Sequence, residues 1–594
     1  MKLLVSASKN AASLYVARTI YNKGNRTSEI VETLGTEKEL REKLNGEDPY
    51  EWARAYIAKL NQEEKEGKRK VKVEFSPDKR IEKNIQRSFN GGYLFLQKIY
   101  SKLGMGNICS YISSKYKFTF DLNTILSYLI YGRILFPASK LATKKISRTF
   151  IEAKEIDIQH FYRGLDVLAK EQDYIQAELY KNSLKMSKRN TNVLFYDCTN
   201  FYFEIEQEDG LRQYRKRKEN RPNPIVEMGL FMDGDGIPLA FSIHSGNTNE
   251  QVTLKPLEKK ILKDFELSKF IVCTDAGLSS TANRRFNSMG QRSFITTQSI
   301  KKMKAYLMKW SLDEKKWKLE RKGNAGTEKI YDLGQVLEYY NAPGRTEAEK
   351  TVMESQIFYK ERWINDDGLE QRLVVTFSIK YYNYQRNIRA KQVERAQKVI
   401  DKNPGKLKKV NANDYKRFIK KEHCTEDGEK AEHEMLSIDE SIIEKEAVYD
   451  GFYAVCSNMG GSVGDIVKVS KGRWEIEECF QIMKSEFKAR PVYLGRDERI
   501  IAHFMTCFIS LIIYRFLERQ LTVNDDDGFP FTCDSLLDTL RNMNFFKIKG
   551  EGYVPTYERS DITDALHESF DFRTDSEIVS SKEMKKIINF SHKR

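Results

Sequence analysis

Two short apolar runs, each ending in an aspartate, constrain the fold of this chain more than any other feature of its sequence. Residues 193–196 (VLFY) precede Asp197, and residues 270–274 (FIVCT) precede Asp275. Apolar runs of this length, bounded by turn residues, are typical of buried strands. The neighbouring segments predict the order β-β-β-α-β-α-β, with further strands at 225–231, 238–243 and 293–297 and helices at 252–265 and 279–289. We therefore predict an α/β sheet with both aspartates at the C-terminal ends of neighbouring strands.

The segment that begins at Gly472 (GRWEIEECFQIMK) predicts a helix. No glycine or proline occurs from 473 to 488, and the apolar residues recur at helical spacing. At about 100° per residue, Arg473, Glu477 and Lys484 fall within roughly 40° of one another. This face suits a metal-binding carboxylate between two phosphate-contacting cations. An amphipathic helix with an ordinary i,i+4 ion pair has the same spacing, so the interpretation depends on partner carboxylates elsewhere.

Asp197, Asp275 and Glu477 together form the carboxylate set that two-metal phosphoryl transfer requires. A single strand-end aspartate is commonly a cap or turn residue, but the three carboxylates in this strand and helix order are far more specific. We expect Asp197 to bridge two metal ions, with Asp275 and Glu477 each completing one site. Arg473 and Lys484 are then expected to bind phosphates beside the scissile bond.

The charge balance favours a polyanionic partner. The 594 residues include 100 Lys and Arg against 85 Asp and Glu, which gives a net charge of +15 and a pI near 9.1. Nucleic acid is the simplest partner for such a surplus. A candidate DNA-contacting loop contains the basic residues Arg212, Arg215, Lys216, Arg217, Lys218 and Arg221. A solvated hairpin loop has the same composition, so both interpretations stay open.

Cysteine usage and hydropathy indicate a cytoplasmic chain. The eight cysteines are scattered without a CxxC pair, which argues against a disulfide framework. The N-terminus has no signal-peptide pattern. The longest apolar run, 504–517, includes Arg515 and is shorter than the roughly 20 residues that span a bilayer. We predict a buried core helix there, and no membrane partner.

Changes in periodicity divide the chain into six predicted segments. They are a small β/α module (1–75), a helical DNA-binding region (76–190), the first part of the α/β core (191–300), a β-rich insertion (301–465), the second part of the core with the catalytic helix (466–520) and a C-terminal helical tail (521–594). Within the insertion, residues 372–384 predict a long strand, and Trp310, Trp317 and Trp363 lie among charged residues. Asp275 and Glu477 are thus expected to belong to two halves of one core.

The helix motif resembles a known signature. Arg473-Trp474-x-Ile476-Glu477 followed by Lys484 is similar to the R-x3-E-x6-K part of the YREK signature of bacterial insertion-sequence DDE transposases. Further matches to this family are 218–224 (KENRPNP), 236–238 (GIP), 246–250 (GNTNE), 275–278 (DAGL), 450–453 (DGFY) and 499–503 (RIIAH). One residue departs from the signature, because its Tyr, three residues before the Arg, is Ser470 here.

The resemblance implies a ribonuclease H-like fold, with Asp197, Asp275 and Glu477 as the catalytic triad and a β-rich insertion before the glutamate. It implies two Mg²⁺ ions, for which Mn²⁺ substitutes, and strand cleavage and transfer at the ends of an insertion sequence. The expected partners are the terminal inverted repeats of its own element and a target DNA. Binding is expected by a homodimer in the bacterial cytoplasm, at the nucleoid.

The resemblance also bears on how the second strand is cut. In relatives a DNA hairpin forms with a base pulled from the stack, and the signature's Tyr helps hold a phosphate near that base. A flipped base needs an aromatic surface to stack on. Trp363, beside Arg362, is the first candidate for that surface. Ordinary packing of the insertion is the alternative for each of the three tryptophans.

Two other functions are compatible with the residues. A ribonuclease H-like nuclease or junction resolvase would use the same carboxylates, although it needs neither the long insertion nor the large flanking regions. A domesticated DNA-binding protein without catalysis is the second, and the intact carboxylates argue against it. Terminal inverted repeats flanking the coding region would distinguish a transposase from both.

Overall fold

The computed structural model describes the chain except residues 8–10, 23–24, 45–46, 68–72, 74, 216–222, 321–328, 403–413, 425–429 and 523–529. It divides into two compact units, Met1–Ile85 and Gln86–Arg594.

The first unit is an antiparallel sheet of order β1-β2-β3 followed by two helices. Its elements are β1 (Lys2–Ala7), β2 (Ala12–Asn22), β3 (Asn25–Thr36), α1 (Glu37–Lys43) and α2 (Pro49–Gly67). Thr36 ends the last strand and starts α1 through a capping box with Glu39, which satisfies backbone N–H groups at the helix start. Leu14, Leu40 and Ala53 form the small core of this unit.

The second unit begins with a short strand and a group of helices, and it then continues into the predicted α/β order. The first group is β4 (Ser88–Asn90), α3 (Tyr93–Lys102), α4 (Met105–Tyr116), α5 (Leu122–Leu135), α6 (Lys140–Ser147), α7 (Ile158–Lys170) and α8 (Gln172–Ser183). The next group is β5 (Val193–Tyr202), β6 (Ile225–Asp233), β7 (Pro238–Ser245), α9 (Leu254–Asp264), β8 (Ile271–Thr274), α10 (Thr281–Asn287) and β9 (Ser293–Thr297). The order β-β-β-α-β-α-β expected from the sequence is therefore present.

The remaining elements alternate between helix and strand. After β9 come α11 (Ala305–Leu312), β10 (Trp317–Leu319), β11 (Ile330–Tyr331), α12 (Leu333–Asn341), α13 (Glu347–Ser355), β12 (Phe358–Asp366), β13 (Leu369–Phe377), α14 (Ile379–Asp401), β14 (Ile419–Cys424), β15 (Lys430–Ile438), α15 (Glu440–Ala447) and β16 (Phe452–Ser457). The last are α16 (Val463–Gly472), α17 (Trp474–Ser485), α18 (Asp497–Leu521), α19 (Cys533–Asn542), β17 (Asn544–Ile548), β18 (Gly552–Pro555), α20 (Asp561–Phe570), β19 (Val579–Ser580) and α21 (Ser581–Ser591).

One mixed sheet of ten strands organises the second unit, in the order β11-β10-β12-β13-β16-β9-β8-β5-β6-β7. Strands β5, β8 and β9 are parallel neighbours, and the other pairings are antiparallel. Strand β16 pairs with β9 on one side and β13 on the other. Five strands from residues 317–457 therefore extend the sheet that carries Asp197 and Asp275. They are β10, β11, β12, β13 and β16.

The region 301–465, expected to be β-rich, contains seven strands, β10 to β16, and five α-helices, α11 to α15, among its described residues. One expectation within it needs correction. The strand expected over 372–384 ends at Phe377, because Ser378 caps α14 by accepting a hydrogen bond from the Tyr381 N–H. A serine at this position stops a strand ladder and starts a helix.

The C-terminal segment and the early helices form one packed body. Strand β17 pairs with β4, and the Asn90 side chain donates to the Leu540 carbonyl at 3.0 Å. At the chain end, Gln97 donates to the Ser591 hydroxyl at 2.9 Å. The segment expected as a helical tail thus contains the strands β17, β18 and β19 as well as helices, and it shares a core with α3.

Helix α18 is the centre of this core. It is the one described helix that is long and apolar enough to cross a membrane, with a mean hydropathy of 1.9 over its most apolar window. Within the protein, 89% of that window is buried. A helix that is apolar on all sides needs packing on all sides, and here α3, α5, α7 and β7 contact it.

Candidate active site

The parallel register of β5 and β8 brings Asp197 and Asp275 together. Tyr196 is paired with Thr274 across the two strands, and Asp197 and Asp275 are the next residues on each. Asp275 then caps a short 3-10 turn by accepting from the Leu278 N–H at 3.1 Å. The two aspartates are therefore neighbours, as expected, and Asp275 follows the end of its strand. The expected position of Asp197 needs correction, because β5 continues beyond it to Tyr202 through its pairing with β6.

Strand alternation determines which face of the sheet carries Asp197. Leu194 and Tyr196 pack in the cluster formed with α9, whereas Phe195 packs in the cluster formed with α17 and α18. Side chains two residues apart point to the same face of a strand. Asp197 therefore lies on the face that α17 covers.

Asp197 is the most perturbed carboxyl of the candidate site. Burial raises the pKa of Asp197 to about 7, and the charge of Asp275 contributes to the rise. The Cys198 N–H, which donates to the Asp197 Oδ1 at 2.8 Å, and the Arg473 guanidinium oppose it. A buried carboxyl beside a second carboxylate favours either a proton or a cation.

A close approach at Gly472 positions α17 over β5. A Cβ at Gly472 would lie 2.9 Å from the tip of the Phe195 ring, so glycine lets the helix start approach the strand. The next residue, Arg473, lies with its Nη2 2.9 Å from the Glu477 Oε1 and its Nη1 4.0 Å from the Asp197 Oδ2. Burial disfavours its charge, but Glu477 and Asp197 hold the pKa of Arg473 above its ordinary value. Arg473 thus connects the helix carboxylate to the strand carboxylate.

Lys484 contacts the same strand further along. Its Nζ donates to the Thr199 Oγ1 and lies 5.6 Å from the centre of the Phe201 ring. Thr199 and Phe201 follow Asp197 at the period-2 spacing of one strand face. Of the residues expected on one edge of the helix, Arg473 and Lys484 therefore contact the strand that carries Asp197, and Glu477 pairs with Arg473.

The three carboxylates do not form a metal-ligand cluster in this structure. Within the described part of the chain, no group of three or more His, Cys, Asp or Glu side chains is close enough to hold a metal ion. The Glu477 side chain is 58% exposed and paired with Arg473. Asp197 and Asp275 are together, while Glu477 is connected to them through Arg473.

A further carboxylate, Glu250, lies beside Asp275 and was not singled out from the sequence. A Cβ at Gly277 would lie 3.2 Å from the Asp275 Oδ1 and 3.5 Å from the Glu250 Oε2, so both groups border one glycine. Glu250 is 8% exposed and its Oε1 lies 3.2 Å from the Arg215 Nη2. The match at 246–250 was the only sequence signal for it.

The basic loop is only partly described. Arg215 pairs with Glu227 at 2.5 Å and with Glu250, and Arg212 pairs with Asp209. The charge of Arg215 is thus matched by two buried carboxylates beside the site, and its expected contact with DNA stays a prediction. The other expected contacts lie outside the described residues: Lys216, Lys218, Arg217 and Arg221.

The tryptophans differ in exposure. Trp317 is fully buried and donates to the Asp313 carbonyl at 2.8 Å, and Trp310 packs against the same core. Trp363, in β12, is 54% exposed. Strands β13, β16, β9 and β8 separate β12 from β5, which at about 4.8 Å per strand corresponds to roughly 24 Å. Trp363 is thus available for stacking but lies well away from Asp197.

A cavity of about 540 Å³ lies nearer to Arg473, beside the end of α16. Its walls include Tyr381, Tyr384, Tyr453, Ser470 and Lys471, the last two from the helix that ends at Gly472. Tyr453 shares a 2.7 Å hydrogen bond with Thr297 across β16 and β9. None of these tyrosines was proposed as a site residue from the sequence, because they come together from α14 and β16, and contacts between distant elements have no local signal.

Comparison with known families decides the class of protein. Residues 188–513 match the family model of the transposase DDE domain. The chain belongs to this family. That region includes Asp197, Asp275 and Glu477, the strands β5 to β9 and all of α17, so the resemblance noted in the sequence is confirmed.

The other comparisons add little to this assignment. A search of curated proteins finds no match. Among solved structures, the transposase is similar to the piggyBac transposase synaptic complex with hairpin DNA, with 9% identity and a TM-score of 0.34 over 85% of this chain and 88% of that one. A likeness at this level carries no argument about the site.

Proposed function

We propose that this transposase cleaves and joins DNA strands at the ends of its own insertion sequence, with Asp197, Asp275 and Glu477 as catalytic carboxylates. One observation carries the proposal. The register that pairs Tyr196 with Thr274 makes Asp197 and Asp275 neighbours, and Arg473 links Asp197 to Glu477. The other support is membership of the transposase DDE domain family.

We infer that the central strands, in the order β7-β6-β5-β8-β9, form a ribonuclease H-like core. The support is the order and direction of the strands, with β6 antiparallel and β5, β8 and β9 parallel. In open α/β sheets, sites lie at the carboxyl ends of parallel strands. Asp275 directly follows the end of β8, and Asp197 is the first residue of β5 beyond its parallel pairing with β8.

The carboxylates suit Mg²⁺, and we propose two such ions, with Mn²⁺ as a substitute. Hard carboxylate oxygens are preferred ligands of Mg²⁺, and a cation would relieve the repulsion that helps to raise the pKa of Asp197. When bound, the ions activate the attacking oxygen and stabilise the leaving oxygen. Glu477 would hold a metal ion only by leaving its Arg473 partner, which would free the guanidinium for phosphate.

Cations on the same helix supply the DNA contacts of the proposal. Arg473 is suited to bidentate phosphate binding, and Lys484 to a point contact. Lys216, Lys218, Arg217 and Arg221 are retained as proposed backbone contacts. The DNA partners we propose are the terminal inverted repeats and a target DNA, held by a homodimer in the bacterial cytoplasm.

For a hairpin route, the cavity beside α16 is a better base site than Trp363. It has three tyrosines for stacking, and Ser470 and Lys471 in its wall precede Arg473 by only a few residues. Stacking on an aromatic residue contributes about 1–3 kcal/mol per base. Tyr384→Ala and Trp363→Ala make a matched comparison, since the two side chains are 58% and 54% exposed. We expect Tyr384→Ala to slow second-strand processing and Trp363→Ala to leave it unchanged.

The proposed function is tested with purified full-length protein, DNA from the flanks of its own gene and Mg²⁺. We expect cleavage at the element ends, loss of cleavage in EDTA and recovery with Mn²⁺. Joining of the released ends to a second DNA would demonstrate strand transfer. Cleavage that ignores the end sequence would indicate a general nuclease, and end binding without any cleavage would indicate a DNA-binding protein.

A further inference from the structure

A cavity of about 230 Å³ lies where the chain passes from α17 to α18. Its deep part is formed by Arg133, Lys140 and His503, which are 6%, 6% and 4% exposed, and its rim includes Lys488, Arg490 and Tyr493. None of its described lining residues is acidic. We call it the basic pocket.

The hydrogen bonds of His503 define the state of the deep part. Its Nε2 lies 3.1 Å from the Ala489 carbonyl, so this nitrogen carries the proton and donates. Its Nδ1 then accepts from the Lys140 Nζ at 3.5 Å. Burial, with the charges of Lys140 and Arg133, holds the pKa of His503 well below its ordinary value. Lys140 therefore uses one of its three N–H donors on a neutral ring.

Arg133 ties the pocket to the end of the catalytic helix. Its Nη1 donates to the carbonyls of Phe487 and Lys488 at 3.0 and 3.2 Å, and its Nη2 to that of Ala138 at 3.3 Å. Its buried Nε has no hydrogen-bond partner among the described residues. A buried N–H of a charged group without an acceptor is costly, so Arg133, which lines the pocket, has unused donor capacity.

The charges of the deep part are not compensated by protein carboxylates. Burial, with the charge of the neighbouring Arg133, lowers the pKa of Lys140 to about 7. Buried cations are normally paired with an anion. Lys140 and Arg133 lie beside the neutral ring of His503 and have no carboxylate partner among the described lining residues of the pocket. An anion in the pocket would supply the missing acceptor and favour the charged form of Lys140.

Size and rim composition favour a phosphate group. The volume is several times the roughly 30 Å³ that one water occupies in the liquid. Tyr493 is 73% exposed at the rim, next to Arg490 and Lys488. Cations interleaved with an exposed aromatic side chain suit a nucleic-acid strand, whose phosphates and bases alternate.

We propose that the basic pocket binds a phosphate group, with Lys140 and Arg133 as deep donors and Arg490 at the rim. A phosphate in DNA and a free phosphate share this chemistry. If the phosphate belongs to DNA, which rests on the proposed function, a segment of the strand would lie against the end of α17, away from the scissile bond.

The first test uses thermal unfolding of the full-length protein in inorganic phosphate and in chloride at equal ionic strength. We expect phosphate to raise Tm saturably in the wild type. Lys140→Met should weaken the apparent phosphate affinity roughly tenfold or more, the usual cost of one charge-assisted hydrogen bond. Lys145→Met, with the same charge change at an exposed position of the same helix, should behave as wild type. Equal phosphate responses in all three proteins, or none in wild type, would overturn the proposal.

A second measurement uses the wild-type protein and therefore does not depend on whether Lys140→Met folds. Acetylation of Lys140 and Lys145 in the wild type is followed by mass spectrometry, and phosphate should protect Lys140 alone. Arg490→Gln at the rim should reduce this protection. Acetate protecting as well as phosphate would show that the pocket is not specific for phosphate and would overturn the proposal.

End DNA distinguishes the two sources. If the pocket takes a DNA phosphate, bound DNA protects Lys140 and Lys140→Met weakens DNA binding. If it takes free phosphate, DNA neither protects Lys140 nor depends on it, while the phosphate response persists. Asp197→Ala should abolish cleavage and keep the phosphate response, so failure of this inference and failure of the proposed catalysis give different results.

Discussion

The Tyr453 hydroxyl lies 3.4 Å from the Ser470 hydroxyl. Ser470 occupies the place of the signature's Tyr, three residues before Arg473. A phenol from β16 therefore stands next to the position where relatives carry one on the helix. This geometry offers a substitute for the missing residue, supplied from the sheet.

Tyr453→Phe is expected to slow second-strand processing about tenfold, the effect of losing one hydrogen bond to a charged phosphate. First-strand nicking should change less, because the catalytic carboxylates are untouched. Gel analysis of nicked and fully cut end DNA over time measures both steps. Ser470→Ala is the control and should leave both rates near wild type. If Ser470→Ala instead shows the larger defect, the serine itself and not the tyrosine serves this role.

Asp197→Ala, Asp275→Ala and Glu477→Gln are each expected to abolish strand cleavage, since each removes a proposed metal ligand. Binding to end DNA should stay within a fewfold of wild type, because affinity comes mainly from phosphate contacts spread over the protein. Cleavage assays and mobility shifts measure the two properties. Glu486→Gln, at the C-terminal end of α17, is the matched carboxamide control. A variant that cuts at the parental rate would remove its residue from the triad.

The raised pKa of Asp197 predicts a pH-dependent stability of the metal-free protein. Between the ordinary pKa near 3.8 and about 7, folded Asp197 holds a proton that the unfolded chain releases. Stability should therefore fall as the pH rises through this window and level off above it. The contribution is at most about 4 kcal/mol, at about 1.4 kcal/mol per pKa unit.

Glu258 and Glu475 also have pKa values raised to about 7, chiefly by burial, so they contribute to the same pH dependence. Comparison of the wild type with Asp197→Asn isolates the contribution of Asp197. We expect the wild type to lose more stability than Asp197→Asn between pH 5 and pH 8. Denaturant unfolding in EDTA measures it. Parallel pH profiles for the two proteins would contradict a perturbed Asp197.

Gly472→Ala is expected to destabilise the protein by about 1–3 kcal/mol through overpacking and to reduce cleavage at least tenfold. The added Cβ meets the Phe195 ring at 2.9 Å and would displace Arg473 from Asp197. Phe195→Leu removes the ring tip, so the double variant should recover part of the activity. Cleavage rates and unfolding midpoints of the single and double variants test this. A double variant no better than Gly472→Ala would show that the contact is not the cause.

Truncation tests the division into units. A protein of residues 86–594 should fold, because the second unit has its own core, whereas residues 181–594 should not. The latter lacks α3, which packs on α18 and α21, and β4, which pairs with β17. Circular dichroism and limited proteolysis of both fragments decide it. A cooperatively folded 181–594 would mean that the early helices are separable from the catalytic part.

Local patterns predicted the parts of the site that lie within single elements. The apolar runs before Asp197 and Asp275 and the helical spacing of Glu477 each reflect one strand or helix, and the structure contains those elements. Interactions between distant segments had no such signal. The pairing of β16 with β9, which brings Tyr453 to the site, is one example. The contact of Glu250 with Arg215 is another, since a basic residue in a loop has the same composition whether it meets DNA or a buried carboxylate.

The contacts between the early helices and the last residues of the chain affect synthesis of the protein. The core of the second unit is complete only when Gln97 can donate its hydrogen bond to Ser591 and β4 can pair with β17. The first unit ends at Ile85 and can fold as soon as it leaves the ribosome. At about 5–20 residues per second, the remaining residues take roughly 25 to 100 s to translate. Throughout that interval the apolar faces of α3 and α5 lack their final partners, and transiently exposed apolar surface of this kind is prone to aggregation.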